Sequence, residues 1–538
     1  MKVKLEIKMK LDTTRYLLIA FIIFSSHFLL AQKITDSKVV VSLDNEYWWG
    51  GVVRDGHMMP FVHDYSINLY GNNKGNQIQP LLLSNKGRIV WSEEPIAFEI
   101  KGDHITVTAF GGTINLEQSG ESLRSAFQFA SANYFPPSGQ KPGELFFTAP
   151  QYNTWIELIY NQNQDDVLRY ANGIKSNGFK PGVIMIDDNW QEDYGKWNFH
   201  PGRFADPSAM MDSLHSMGFK VMMWICPFVS PDCDVYRDLS QKGYFIKEMD
   251  SDEPYMVRWW NGVSAVLDFT NPGAVKWFDD QLQGLIDSVG VDGFKFDAGD
   301  SYFYTDDMKS YDPEATPNDH TFAFQKFGLK YPLNEYRASW KMGGLPLAQR
   351  LHDKGHNWDD LQKLIPQIGL QGILGYPFNC PDMIGGGEYG SFIDLENVDQ
   401  ELIVRSAQLH SLMAMMQFSV APWRVLDEEY LMAIKSAVEL REAYLAKIMT
   451  LVELAASTGE PVIRLMEYVF PEQGFERVGD QFMLGNNILV APVLVKAATT
   501  RMVKLPKGKW KYNGKVYKGG KQITIPVSLD TLPVFEKL

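Results

Sequence analysis

Cysteine is nearly absent from this chain: three in 538 residues, at Cys226, Cys233 and Cys380. Three thiols, none in a C-x-x-C spacing, exclude a disulfide framework and offer no zinc pattern. No basic cluster is expected in the body of the chain, and 51 Lys and Arg against 65 Asp and Glu leave a net charge of −14. Nucleic acid and anionic membrane surfaces are therefore not expected as partners. No Gly-x-Gly-x-x-Gly turn follows the first strand-like segment of the central region, which removes the usual dinucleotide signature. Internal repeats and low-complexity linkers are missing too. Beyond the N-terminus, no apolar run approaches membrane-spanning length.

What the chain does have is hydrophobic bulk, 45% of residues with 13% aromatic, as expected of a well-packed protein too long for one core. Residues 1–31 have the make-up of a signal peptide. Lys2, Lys4, Lys8, Lys10 and Arg15 precede the apolar run from Tyr16 to Phe24, and Ala31 supplies a small residue at a plausible cleavage point. Met9 is an alternative start. No Cys follows the run, so no lipoprotein anchor is indicated, and an uncleaved membrane anchor is the competing reading. The expectation is export, to the periplasm or the medium, with no membrane association after cleavage.

Residues 32–145 have the texture of a β-sandwich: short β-type runs such as Arg88–Trp91, Ile96–Ile100 and His104–Phe110, punctuated by Asn- and Gly-rich turns. From about 146 to 430 the period changes to alternating strands and amphipathic helices. Helices are expected over Asp165–Ser176, Ser208–Met217, Pro272–Val289 and Asp359–Ile365, the last stopped by Pro366, with a strand at Gly372–Tyr376. Repeated strand–helix units imply parallel strands, and a stretch of this length suits a (β/α)₈ barrel. Residues 431–538 read as a helical connector, Glu428–Ala456, then C-terminal β-sandwich domains.

Acidic or polar residues recur at the strand ends: Asp187, Asp188, Cys226, Asp268, Asp297 and Asp382. Asp297 ends the apolar run Gly293-Phe-Lys-Phe, at the barrel face where catalytic groups sit. Lys295, two residues earlier, shares its side of the strand. A structural Lys–Asp ion pair would fit this segment equally well. Asp353, in Arg350-Leu-His-Asp353, falls on a loop before a helix. Two carboxylates on separate loops at one barrel mouth are the minimal equipment of a glycosidase.

Several strings resemble glycoside hydrolase family 31: Ile186-Asp-Asp-Asn-Trp, Trp260-Asn-Gly…Leu-Asp-Phe-Thr-Asn-Pro272, Gly293-Phe-Lys-Phe-Asp297, Asp382-Met-Ile-Gly-Gly386 and Asp480-Gln-Phe-Met-Leu-Gly. Within it, Val257-Arg-Trp-Trp-Asn-Gly and Phe294-Lys-Phe-Asp-Ala-Gly are most like the myogenesis-regulating glycosidase group. The resemblance implies a retaining exo-α-glycosidase needing no metal or cofactor, with Asp297 as nucleophile, Asp353 as acid/base, and an oligosaccharide or glycoside substrate. It places Asp187, Trp260 and Trp155 around the reacting sugar. Retention implies carboxyl groups roughly 5–5.5 Å apart, against about 6.5–9.5 Å for inversion.

Departures from the family pattern bear on the sugar. Cys226-Pro227 stands where family α-glucosidases have Asp-Pro, Lys295 replaces an aromatic residue, Arg350 replaces another, and Phe418 or Ser419 stands near a family histidine. Lys-x-Asp resembles α-galactosidases of other families, so Lys295, Arg350 and Cys226 join the expected sugar-binding set and α-galactosides are favoured. The alternatives are an α-glucosidase or α-xylosidase of the same family, a transglycosidase, or a non-catalytic sugar-binding protein. Oligomeric state is not legible.

Overall fold

In the computed structural model the described residues are 34–393 and 398–538. The signal-peptide reading of residues 1–31 lies outside them. Eight parallel strands form the centre: β1 (Gln151–Asn153), β2 (Val183–Ile186), β3 (Lys220–Ile225), β4 (Gly293–Phe296), β5 (Leu333–Tyr336), β6 (Ala348–Arg350), β7 (Asn379–Cys380) and β8 (Gln417–Phe418). They pair in the order 7-6-5-4-3-2-1-8. A parallel bridge between Met383 and Gln417 brings β7 against β8 and closes the barrel. β2 is apolar throughout, Val-Ile-Met-Ile, and fully buried, as a strand covered on both faces requires.

Helices α1 (Gln164–Ser176), α2 (Pro207–Ser216), α3 (Pro272–Val289), α4 (Pro317–Gly328), α5 (Trp358–Ile373) and α6 (Gln400–Ser411) supply the crossovers. Their starts follow local chemistry: Asn163, Asp206, Asn271, Thr316, Asn357 and Asp399 each accept a backbone N–H of the first turn. α5 corrects two expectations. It runs through Pro366 to Ile373 because Leu361, Leu364, Ile365 and Ile368 bury its inner face, and that packing outweighs the one hydrogen bond the proline removes. The expected strand over 372–376 is therefore helix end and turn. Gly375, at φ 87°, reverses the chain, and β7 begins only after Pro377.

The N-terminal region is a sandwich of two antiparallel sheets. One holds Ile34–Val41, His104–Phe110, Ile96–Lys101 and Tyr65–Asn68; the other holds Trp48–Val52, Gln77–Ser84, Arg88–Ser92 and Ile114–Gln118. Gln77–Ser84 is buried along its whole length. Ile78 and Leu82 face the sandwich core, whereas Leu81 and Leu83 face the barrel. The β5–β6 connection carries no helix. Instead Ser339–Trp340 pairs in parallel with Gln77 and Ile78, so the barrel donates a strand to the sandwich. A helix at Leu123–Tyr134, in a stretch that reads as strands and turns, starts at a Ser122–Ser125 capping box.

After the barrel comes a 31-residue helix, Glu428–Thr458, ended by Gly459 at φ 75°. It leads into a six-stranded sheet and a two-stranded ribbon. Fully buried Arg441 fastens this helix to the barrel. Its guanidinium donates to the carbonyls of Ser411, Met413 and Ala414 before β8, and to Phe147 before β1. Replacing it by methionine keeps the bulk and orphans these acceptors, each worth about 1–3 kcal/mol when left unpaired. Arg441→Met is expected to lower the thermal midpoint by several degrees; an unchanged melting curve would show that the clamp contributes nothing.

Candidate active site

The C-terminal ends of the strands open into a cavity of about 550 Å³. Asp187 follows β2, Asp297 follows β4, Arg337 follows β5, Arg350 ends β6 and Asp353 lies just beyond it; all five line the cavity, as do Lys295, Trp155 and Trp260. The fold thus brings seven of the eight residues expected in the site to one wall. Cys226 is the exception. It is fully buried, with its Sγ turned toward the Phe228 carbonyl at 4.0 Å, and it does not reach the cavity. Phe418 is turned outward to stack on Tyr152, and the Ser419 hydroxyl accepts the Ile156 N–H, so neither replaces a sugar-facing histidine.

Asp297 is bound on both oxygens. Oδ1 accepts from Arg337 Nε at 3.0 Å and from the Ala298 N–H at 2.8 Å, while Oδ2 accepts from Trp224 Nε1 at 3.0 Å. Lys295 Nζ stands 3.6 Å from Oδ2. Burial pushes this carboxyl up, but Arg337 and Lys295 outweigh it and hold the group far below the usual carboxylate range. The turn behind it puts Ala298 and Gly299 in left-handed backbone, at φ 55° and 68°. For Ala298 that costs about 1 kcal/mol, and the conformation is what aims its N–H back at the carboxylate.

Lys295 donates to Asp187 Oδ2 at 2.7 Å, both side chains almost wholly buried at the cavity floor. The ion-pair reading of Lys295 is thus realised, with Asp187 as its nearer partner. Burial alone would discharge this lysine, yet Asp187 and Asp297 keep its pKa above the ordinary value. Next to Asp187, Asp188 is bound by Tyr194 and Asn261. Its pKa is pushed up to about 7 by burial and by the neighbouring Asp187 charge.

Arg350 Nη1 donates to Asp353 Oδ1 at 2.6 Å and to Asp382 Oδ1 at 2.7 Å, and its Nε lies 3.5 Å from Glu335. Asp353 is the more open of the two candidate carboxylates, its side chain 34% exposed. Asp382 also accepts the Lys354 and Gly387 N–H groups, so it braces the loop that carries Asp353. Asp268 likewise braces a loop, accepting from Thr270 and from the Tyr311 N–H.

Arg337 is the site residue that sequence reasoning missed. Besides Asp297 it binds fully buried Asp300 and the Gly75 carbonyl. Its guanidinium also stands 5.5 Å from the Trp260 ring centre. Asn73 donates to Asp300 from the same N-terminal loop. That loop and Arg54 reach the barrel mouth, whereas Trp48 and Trp49 of the Tyr47–Gly51 stretch are core. Among the described residues, no group of three or more His, Cys, Asp or Glu side chains is arranged to hold a metal ion.

Two family models match the chain: the glycosyl hydrolases family 31 TIM-barrel domain over residues 150–451, and the glycosyl hydrolase family 31 C-terminal domain over 459–537. Myogenesis-regulating glycosidase of Mus musculus is 33% identical over 427 residues, 77% of this chain and 59% of that protein. Alpha-glucosidase 2 of Bacillus thermoamyloliquefaciens is 27% identical over 388 residues, 66% of this chain and 48% of that protein. The chain thus spans about half to three-fifths of the length of these relatives. In fold it is similar to a family 31 dextranase of Flavobacterium johnsoniae, with TM-score 0.82 at 21% identity, covering 94% of this chain and 67% of that one. With the barrel, the clustered carboxylates and both domain models in agreement, the chain belongs to glycosyl hydrolase family 31.

Proposed function

We propose that this protein is a retaining, exo-acting α-glycosidase whose preferred substrates are α-galactosides. The observation that carries the reading is the pairing at one cavity of two unlike carboxylates. Asp297 is held ionised by Arg337 and Lys295, and Asp353 stands more open to solvent. Asp297 attacks the anomeric carbon to give a glycosyl-aspartate; Asp353 protonates the leaving oxygen and then activates water. The basic and then apolar N-terminal segment supports export. Relatives named alpha-glucosidase, alpha-xylosidase and isomaltosyltransferase support an α-linked sugar substrate and leave its identity to the residues at the floor.

Those residues favour galactose. Lys295 and Asp187, 2.7 Å apart and facing the cavity, form a donor–acceptor pair suited to two neighbouring hydroxyls on one edge of the ring. An axial 4-hydroxyl brings such a pair together. A site built around one hydroxyl pattern rejects the epimer because buried polar groups are then left unpaired. Of 4-nitrophenyl α-galactoside, α-glucoside and α-xyloside, the galactoside is expected to be cleaved fastest. A faster glucoside or xyloside would remove the Lys295 argument and leave the family assignment standing.

Asp297→Ala is expected to lower turnover by several orders of magnitude with folding intact. Proton NMR of the first-formed product is expected to show the α-anomer. An inverted product, or undiminished turnover in the mutant, would exclude the double displacement. Arg337→Met removes a cation that lowers the Asp297 pKa, so the acid limb of kcat/KM moves to higher pH, by about one unit or more. A limb that stays in place would mean that Arg337 does not set the nucleophile's charge.

A further inference from the structure

From Gln481 to Leu529 the chain contains eight lysines, one arginine and no carboxylate, although the whole protein carries −14. In sequence no two of these lysines are adjacent, yet they are dense enough that the expectation of no basic cluster in the body of the chain does not hold for this stretch. The fold gathers them. Lys509–Tyr512 and Lys515–Lys518 form a hairpin through Asn513-Gly514, both at positive φ. Trp510, Tyr512 and Tyr517 face the domain core, so Lys509 and Lys511 point outward and Lys518 stands directly across from Lys509. Lys507, Lys515 and Lys521 lie exposed close by.

Like charges directly opposed across a strand pair are destabilising, and none of these six exposed lysines forms an ion pair among the described residues. Glu536, the carboxylate beside Lys511 on the adjoining strand, is taken by Lys447 at 2.7 Å, with Lys511 contributing only a weaker pull. Edge strands often carry lysine to discourage pairing with other chains. That accounts for Lys515 and Lys518 on the outermost strand, but not for Lys509 and Lys511 on the strand inside it.

We infer that this lysine face is a docking surface for an acidic polysaccharide, a chain bearing carboxylates or sulfates at regular intervals. Side chains about 5 Å apart across the strands, and roughly 6.6 Å along them, repeat on the scale of a sugar residue. The only large apolar side chain exposed on the hairpin is Val516. A membrane surface would call for interfacial aromatics, and single-stranded nucleic acid for exposed stacking rings; the hairpin's aromatics are turned inward. The surface is remote in sequence from the catalytic barrel and is independent of which sugar that site takes.

The test is affinity electrophoresis of the full chain through gels containing polygalacturonate or neutral dextran. Retardation is expected only by polygalacturonate, and it should fade as salt rises well above physiological strength. The triple variants K509E/K511E/K518E and K509Q/K511Q/K518Q are expected to bind at least tenfold more weakly, with unchanged hydrolysis of a small aryl glycoside. The glutamine variant covers the case in which charge reversal disturbs the sheet. An unretarded wild type, or retardation retained in the glutamine variant, overturns the proposal. Tighter binding to phosphatidylserine vesicles or to an oligonucleotide than to polygalacturonate overturns the choice of partner. A lost aryl-glycosidase activity in unmodified protein speaks to the catalytic reading alone.

Discussion

The structure turns on the compensation of one buried carboxylate. An ionised aspartate at the floor of an enclosed cavity is prohibitively costly unless cations and donors surround it, and Asp297 has Arg337, Lys295, Trp224 and the Ala298 amide. Arg337 is itself mostly shielded from solvent and needs its own partners, which it finds in Asp300 and the Gly75 carbonyl. Asp300 in turn is held by Asn73. The charge state of Asp297 therefore reaches, in two contacts through Arg337 and the Gly75 carbonyl, to a loop of the N-terminal sandwich.

Around the same cavity, carboxylates outnumber cations. Asp187, Asp297, Asp300, Glu335, Asp353 and Asp382 share Lys295, Arg337 and Arg350. Burial raises the pKa of Asp300 and Glu335, and that of Asp382 to about 6. Arg350, placed between Asp353 and Asp382, ties the open carboxylate to this buried network.

Asp297 was legible because it breaks an apolar strand, and a carboxylate there needs a reason. Arg337 was not, although it occupies the equivalent place on β5. That strand reads Leu-Asn-Glu-Tyr; Glu335 points into the barrel interior, where it meets Gln417 and Arg350, while Asn334 binds backbone on the other face, and no apolar run announces the strand. β7 and β8 are two residues each, too short for any periodicity to register. The run through Pro366 shows the opposite failure, a strong local signal overruled by tertiary burial. Cys226 was correctly placed after β3, but its side chain turned away, a detail set by backbone direction rather than residue order.

The strand that the barrel lends to the sandwich ties the two in time as well as in space. Gln77–Ser84 leaves the ribosome long before Ser339–Trp340 exists, so until then its Gln77–Ile78 edge lacks the parallel partner it has in the finished fold. Domains usually complete themselves in order of synthesis. Here one sheet of the first domain gains its last strand only after β5 of the barrel has been made, and that short edge is open to mispairing over the interval.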